Sequence, residues 1–117
     1  MKNDRAELFS AFHGKLNVLL VDDDRGVIQT VSDLVSSPVF SVTKLSSARE
    51  ARKLIRSDTN TWCSWVLDIA MEHEESGIEL LSENKQFPFI IMLSGMRSMA
   101  VASKAMKMGA YKVFDKD

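Results

Sequence analysis

Cysteine is nearly absent from this 117-residue chain: Cys63 stands alone, so no internal disulfide can form and a reducing, cytoplasmic setting is the simplest expectation. Histidine is almost as scarce. His13 and His73 are far apart in the sequence and offer no zinc-ligand spacing. An excess of one charge is also missing, because 15 Lys and Arg face 16 Asp and Glu for a formal net charge of -1. No basic run with interleaved aromatics marks a nucleic-acid face, and no direct contact with nucleic acid is expected. Long apolar runs are lacking too, since no stretch approaches the roughly 20 residues of a membrane span. Near the start, charges interrupt Leu8, Phe9 and Phe12 where a secretory segment needs an unbroken apolar core. No membrane contact is expected.

What remains suits one globular domain with one hydrophobic core, at 45% apolar and 26% charged residues. From Asn17 onward short apolar runs alternate with helical patterns, the signature of a parallel sheet covered by helices on both faces. Strands are predicted at 17–21, 40–44, 64–68, 89–93 and 112–114. Between them, Val27, Val31, Leu34 and Val35 recur at helical spacing, then Ala48, Ala51 and Ile55, then Ile78 and Leu81, then Val101, Ala105 and Met108. Ser47 with Glu50 and Ser76 with Glu79 have capping-box spacing, Ser98 suits an N-cap, and Gly109 supplies a stop. Residues 1–15 read as a leader, either a frayed end or one or two helical turns closed by Gly14. No fifth helix follows the last strand, so one flank of the sheet is expected to lie uncovered.

Chemistry concentrates at the strand ends. Asp22-Asp23-Asp24 closes the run Val18–Val21, and Asp68 closes Trp65-Val66-Leu67. Carboxylates gathered at one edge of a sheet repel, and a divalent cation resolves that repulsion. The fourth strand ends on Ser94-Gly95, and Asp115 and Lys116 follow the fifth. A carboxylate nucleophile, hard oxygen ligands for a metal, a hydroxyl and an ammonium are the parts that phosphoryl transfer requires. Singly, each has a plainer reading. Asp24 suits an N-cap for the first helix, Ser94 a strand-ending hydroxyl, and Lys116 a solvated lysine. Trp62 and Trp65 suit packing, and Met92, Met96, Met99, Met106 and Met108 suit gap filling or partner contact.

From about Leu16 to its end the chain resembles the receiver domain of two-component response regulators. The matching set is Asp22-Asp23 after the first strand, Asp68 after the third, Ser94-Gly95 after the fourth and Lys116 after the fifth. Met71, Gly77-Ile78-Glu79-Leu80-Leu81 and Gly109-Ala110 add to it. The resemblance implies a flavodoxin-like, doubly wound, five-stranded parallel sheet of order 2-1-3-4-5. Residues 1–15 would then be an N-terminal leader, and 16–117 a receiver domain truncated after the fifth strand, its last helix missing. It further implies that Asp68 accepts a phosphoryl group from a sensor histidine kinase, a phosphotransfer protein or a small phosphodonor. Asp22, Asp23, Asp68 and the carbonyl of Ala70 would hold Mg2+, while Ser94 and Lys116 would meet the transferred group. Such a domain catalyses only its own phosphorylation and dephosphorylation, and homodimer formation stays open. Ala70 and Met96 stand where the family tunes phosphoryl lifetime, and their lack of charge implies slow loss.

Several positions depart from the family pattern. Glu72 replaces a proline, and the acidic loop that follows, His73-Glu74-Glu75-Ser76, is one residue longer than usual and expected to be mobile. Asp117 follows Lys116 where a cis-proline is usual. Val113 takes the place of the switch aromatic, with Tyr111 two residues earlier on the same strand parity. Two rival functions follow: a haloacid dehalogenase-type phosphohydrolase using Asp22 and Asp24, and a degenerate receiver that only docks.

Overall fold

Successive residues of a strand face opposite ways, so the unbroken apolar run at the start of this sheet must be covered on both sides. The computed structural model describes residues 16–57, 62–95 and 100–116. Its strands are β1 (Leu16–Val21), β2 (Phe40–Leu45), β3 (Trp62–Asp68), β4 (Ile90–Ser94) and β5 (Lys112–Asp115). Its helices are α1 (Arg25–Val35), α2 (Ala48–Ser57), α3 (Ser76–Glu83) and α4 (Ala102–Lys107). All strands are parallel, in the order β2-β1-β3-β4-β5, which is the flavodoxin-like arrangement expected. The leader with Leu8, Phe9, Phe12 and Gly14, together with Met96, Ser98, Met99 and Asp117, lies outside the described residues. Among the described residues no helix is long and apolar enough to cross a membrane.

Side-chain parity divides the interior into two clusters. Leu19 and Val21 of β1 join Trp65, Leu67 and Met92 beneath α2, α3 and α4, through Ala51, Leu81 and Ala105. Val18 and Leu20 join Val66 and Leu93 on the other face, where Val27, Ile28, Val31 and Val35 of α1 pack. Trp65 has the packing role expected of it, stacked on Phe87 at 4.4 Å. Beside α1 a cleft of about 560 Å³, lined by Val18, Phe40, Cys63, Val66 and Ile91, opens on the second face.

Two local expectations are corrected. Leu34 is 80% exposed at the rim of that cleft rather than on the packed stripe. It points within about 20° of packed Val27, two turns earlier, so what exposes it is its place in the last turn of the helix, beside the open cleft. The Ser76–Glu79 capping box does not form, because Ser76 is already helical and Glu75 is the N-cap. The Ser76 hydroxyl instead donates to the His73 carbonyl at 3.0 Å and accepts from the His73 N–H at 2.9 Å. At α2 the box is half formed: Ser47 Oγ accepts from Glu50 N–H at 3.1 Å, while Glu50 reaches back to Ser46 rather than Ser47. Gly109 has φ +110° and closes α4 as expected.

The order of strands places the site. The chain runs from β1 outward to β2, returns to β3 on the other side of β1, and so brings the ends of β1 and β3 side by side. Val21 pairs with Leu67, so the next residues, Asp22 and Asp68, meet at the carboxyl edge where ligands collect in such sheets.

Candidate functional site

The three consecutive aspartates after β1 divide the work. Asp22 is fully buried and its Oδ1 accepts from the Asp24 N–H at 2.9 Å. Asp24 caps α1, accepting from Gly26 and Val27, as its position predicts. Asp23 between them is exposed. One carboxylate oxygen from each of Asp22, Asp23 and Asp68 lies within 4.8 Å of the others. Asp68 is 2% exposed, and its Oδ1 accepts from the Ala70 N–H at 3.3 Å.

Lys116 closes the pocket from β5. Its Nζ lies 2.9 Å from Asp22 Oδ2 and 3.0 Å from Asp68 Oδ2. Its own N–H donates to the Ser94 carbonyl at 2.9 Å, which ties this end of β5 to the end of β4. Burial and the Asp22 charge push the Asp68 carboxyl up to about 7, with Lys116 holding it back in part. Burial alone would lower the Lys116 ammonium, but Asp22 and Asp68 outweigh it and hold that group raised. Both Oδ2 atoms sit at ion-pair distance from Lys116, yet neither receives an aligned hydrogen bond among the described residues. Two buried carboxylate oxygens with spare lone pairs beside a third, exposed carboxylate form a hard-oxygen donor set that fits a divalent cation such as Mg2+.

Ser94 is buried at the mouth of a cleft of about 320 Å³ that it lines with Met106, Val113 and Asp115. Tyr111 does not reach it. The residue precedes β5 instead of lying on it, is 63% exposed, and packs edge to face on Phe89 at the opposite end of β4 from Ser94. The Lys116–Asp117 peptide lies outside the described residues.

The acidic loop after β3 carries more bonds than its length suggests. Gly77 N–H donates to the Ile69 carbonyl at 2.7 Å, bringing α3 so near that a Cβ there would stand 2.0 Å from the Asp68 carbonyl oxygen. Glu72, in the proline position, accepts from the N–H groups of Ala48 and Arg49 at 2.9 Å each and so caps α2 from across the fold. Burial would raise the Glu72 carboxyl, but the Arg49 and Ala48 N–H groups outweigh it and hold the group below its ordinary value. Glu75 pairs with Lys104 of α4 at 2.8 Å, and the His73 ring meets Glu79 at 3.1 Å. Sequence reasoning missed the cap because its partners lie 24 and 23 residues away, beyond any local spacing rule.

Comparison with known proteins agrees with this geometry. The family model for the response regulator receiver domain matches residues 18–117. The chain is 35% identical over 105 residues to response regulator protein TodT of Pseudomonas putida, covering 85% of this chain and 44% of that protein. It therefore spans less than half the length of that curated relative. Among solved structures, full-length FixJ from B. japonicum superposes with a TM-score of 0.73 at 28% identity, over 87% of this chain and 50% of that one. The receiver domain of Francisella response regulator 1452 gives 0.71 at 26% identity, over 87% and 84%. A response regulator receiver domain protein from Clostridium thermocellum gives 0.74 at 26% identity, over 86% and 82%. A family match across nearly the whole chain, on a sheet whose order sets Asp22 against Asp68, makes the chain a member of the response regulator receiver domain family.

Proposed function

We propose that this domain accepts a phosphoryl group on Asp68 in a magnesium-dependent step and passes the change to an output or partner in a phosphorelay. The observation that carries this reading is the convergence of Asp22, Asp23 and Asp68 within 4.8 Å, with the Lys116 ammonium 3.0 Å from Asp68 Oδ2. An Asp68 oxygen attacks phosphorus, the bond from phosphorus to the donor nitrogen or oxygen breaks, and an acyl phosphate results. Mg2+, held by Asp22, Asp23, Asp68 and the Ala70 carbonyl, would supply neutralisation of the charge on the transferring group. Lys116 is placed to pair with a phosphoryl oxygen once Asp68 is esterified, and Ser94 to donate its hydroxyl to another. Ser94 ends β4 and Lys116 follows β5 directly, so drawing them inward biases two states of the β4–α4 and β5 region. Residues 16–117 form the receiver unit in this reading and 1–15 a leader. The donor is a sensor histidine kinase or phosphotransfer protein, the setting is cytoplasmic, and catalysis extends only to the domain's own phosphorylation and dephosphorylation.

A docking-only receiver is the second reading, favoured by Tyr111 packing at the far end of β4 while Val113 stands beside Ser94. The hydrolase reading is set aside, since Asp24, its second catalytic carboxylate, is turned to the N-terminus of α1. Incubation with acetyl phosphate and Mg2+, read by intact mass, is expected to show one phosphoryl adduct that a chelator prevents. Wild-type protein without any adduct would support docking alone, and turnover of many phosphoesters without a stoichiometric adduct would restore the hydrolase.

A further inference from the structure

Glu72 joins the N-terminus of α2 to the loop that leaves Asp68. The helix already has local partners there: Ser47 Oγ accepts from Glu50 N–H, and Glu50 accepts from both the N–H and the hydroxyl of Ser46. The loop gains more, because its bond between Gly77 N–H and the Ile69 carbonyl pins only one side of it. Glu72 pins the other side through two acceptor oxygens, which fixes rotation as well as distance. Ala70 lies between these anchors, buried, with its N–H on Asp68 Oδ1.

We propose that Glu72 is a positioning residue for the cation site, holding the backbone from 70 to 72 so that the Ala70 carbonyl and the Asp68 carboxylate are preset for Mg2+. The inference rests on the proposed ligand set of Asp22, Asp23, Asp68 and Ala70. Partners that orient metal ligands typically change affinity by about 10- to 100-fold, and Glu72 acts one step further out, so a loss of about 5-fold is expected. Two lesser roles predict something else. A carboxylate that only attracts the cation acts through its charge, and one that only caps α2 acts through helix stability.

Titrating Mg2+ into the whole chain by calorimetry, alongside thermal melting, separates the three. E72A and E72D should both weaken Mg2+ binding about 5-fold, because aspartate keeps the charge but is one methylene too short to span the same gap. E72Q keeps the reach and one acceptor oxygen, so it should recover part of the affinity and serves as the folded variant if E72A does not fold. S47A should lower the melting temperature and leave Mg2+ affinity unchanged. Wild-type affinity in E72D, or affinity losses in E72A and S47A that follow their losses of stability alike, would overturn the positioning role. A wild-type chain that binds no Mg2+ would overturn the ligand set itself, and the inference with it.

Discussion

Lys116→Met is expected to destabilise the metal-free domain by about 3 kcal/mol near pH 8, and by much less near pH 5, because removing one partner of a buried charge pair strands the other. Here two carboxylates are stranded at once: Asp22 and Asp68 are 0% and 2% exposed, and Lys116 is the cation between them. The pH dependence follows from Asp68, whose folded carboxyl lies at about 7 against an ordinary 3.8, chiefly through burial and the Asp22 charge. A raised carboxyl means that the folded state binds the proton more tightly than the unfolded chain does. Its contribution is thus fully present below about pH 4 and is lost as pH rises through about 7. Without Lys116 the same group rises further, so the variant should be least stable at alkaline pH and recover most on acidification. Urea titrations of both proteins across this pH range check the claim, and equal losses at both ends would contradict it. Saturating Mg2+ should return much of the loss by taking over the neutralising charge.

Gly77→Ala is expected to cost about 2–4 kcal/mol, a large fraction of the stability of a small domain. An added Cβ would stand 2.0 Å from the Asp68 carbonyl oxygen and 2.9 Å from its carbon. Backbone cannot yield as a flexible side chain does, so either α3 moves away and the Gly77–Ile69 bond opens, or the end of β3 shifts. Either response displaces the loop that carries Ala70, so Mg2+ affinity should fall together with stability. Gly26→Ala is the control, since its Cβ would meet only the Asp24 carboxylate, at 3.2 Å. Denaturant midpoints for the two variants measure the difference, and equal midpoints would contradict the account of close approach.

Much of this was legible before any coordinates. Short apolar runs, alternating with helical spacing, gave the strands to within two residues, because each such run must be buried on both faces. Aspartates that end adjacent strands announced the site, and Asp24 as a cap followed from its place before α1. Positions that failed depend on tertiary geometry. Leu34 has the right spacing but falls in the last turn of α1 beside an open cleft, and Ser76 serves a loop rather than a helix end. Tyr111 shares the parity of β5 yet precedes the strand, so its ring meets Phe89. Glu72 caps a helix that is distant in sequence, and nothing in its neighbourhood signals the partner.

The most direct measurement is the chemical identity of the esterified carboxylate. After exposure to acetyl phosphate and Mg2+, borohydride reduces an aspartyl phosphate to homoserine, and peptide mass mapping finds the converted position. Conversion at Asp68, absent in Asp68→Asn and when Mg2+ is chelated, is the predicted result. Conversion at Asp22, or label that persists in Asp68→Asn, would contradict the assignment of Asp68 as the phosphoacceptor.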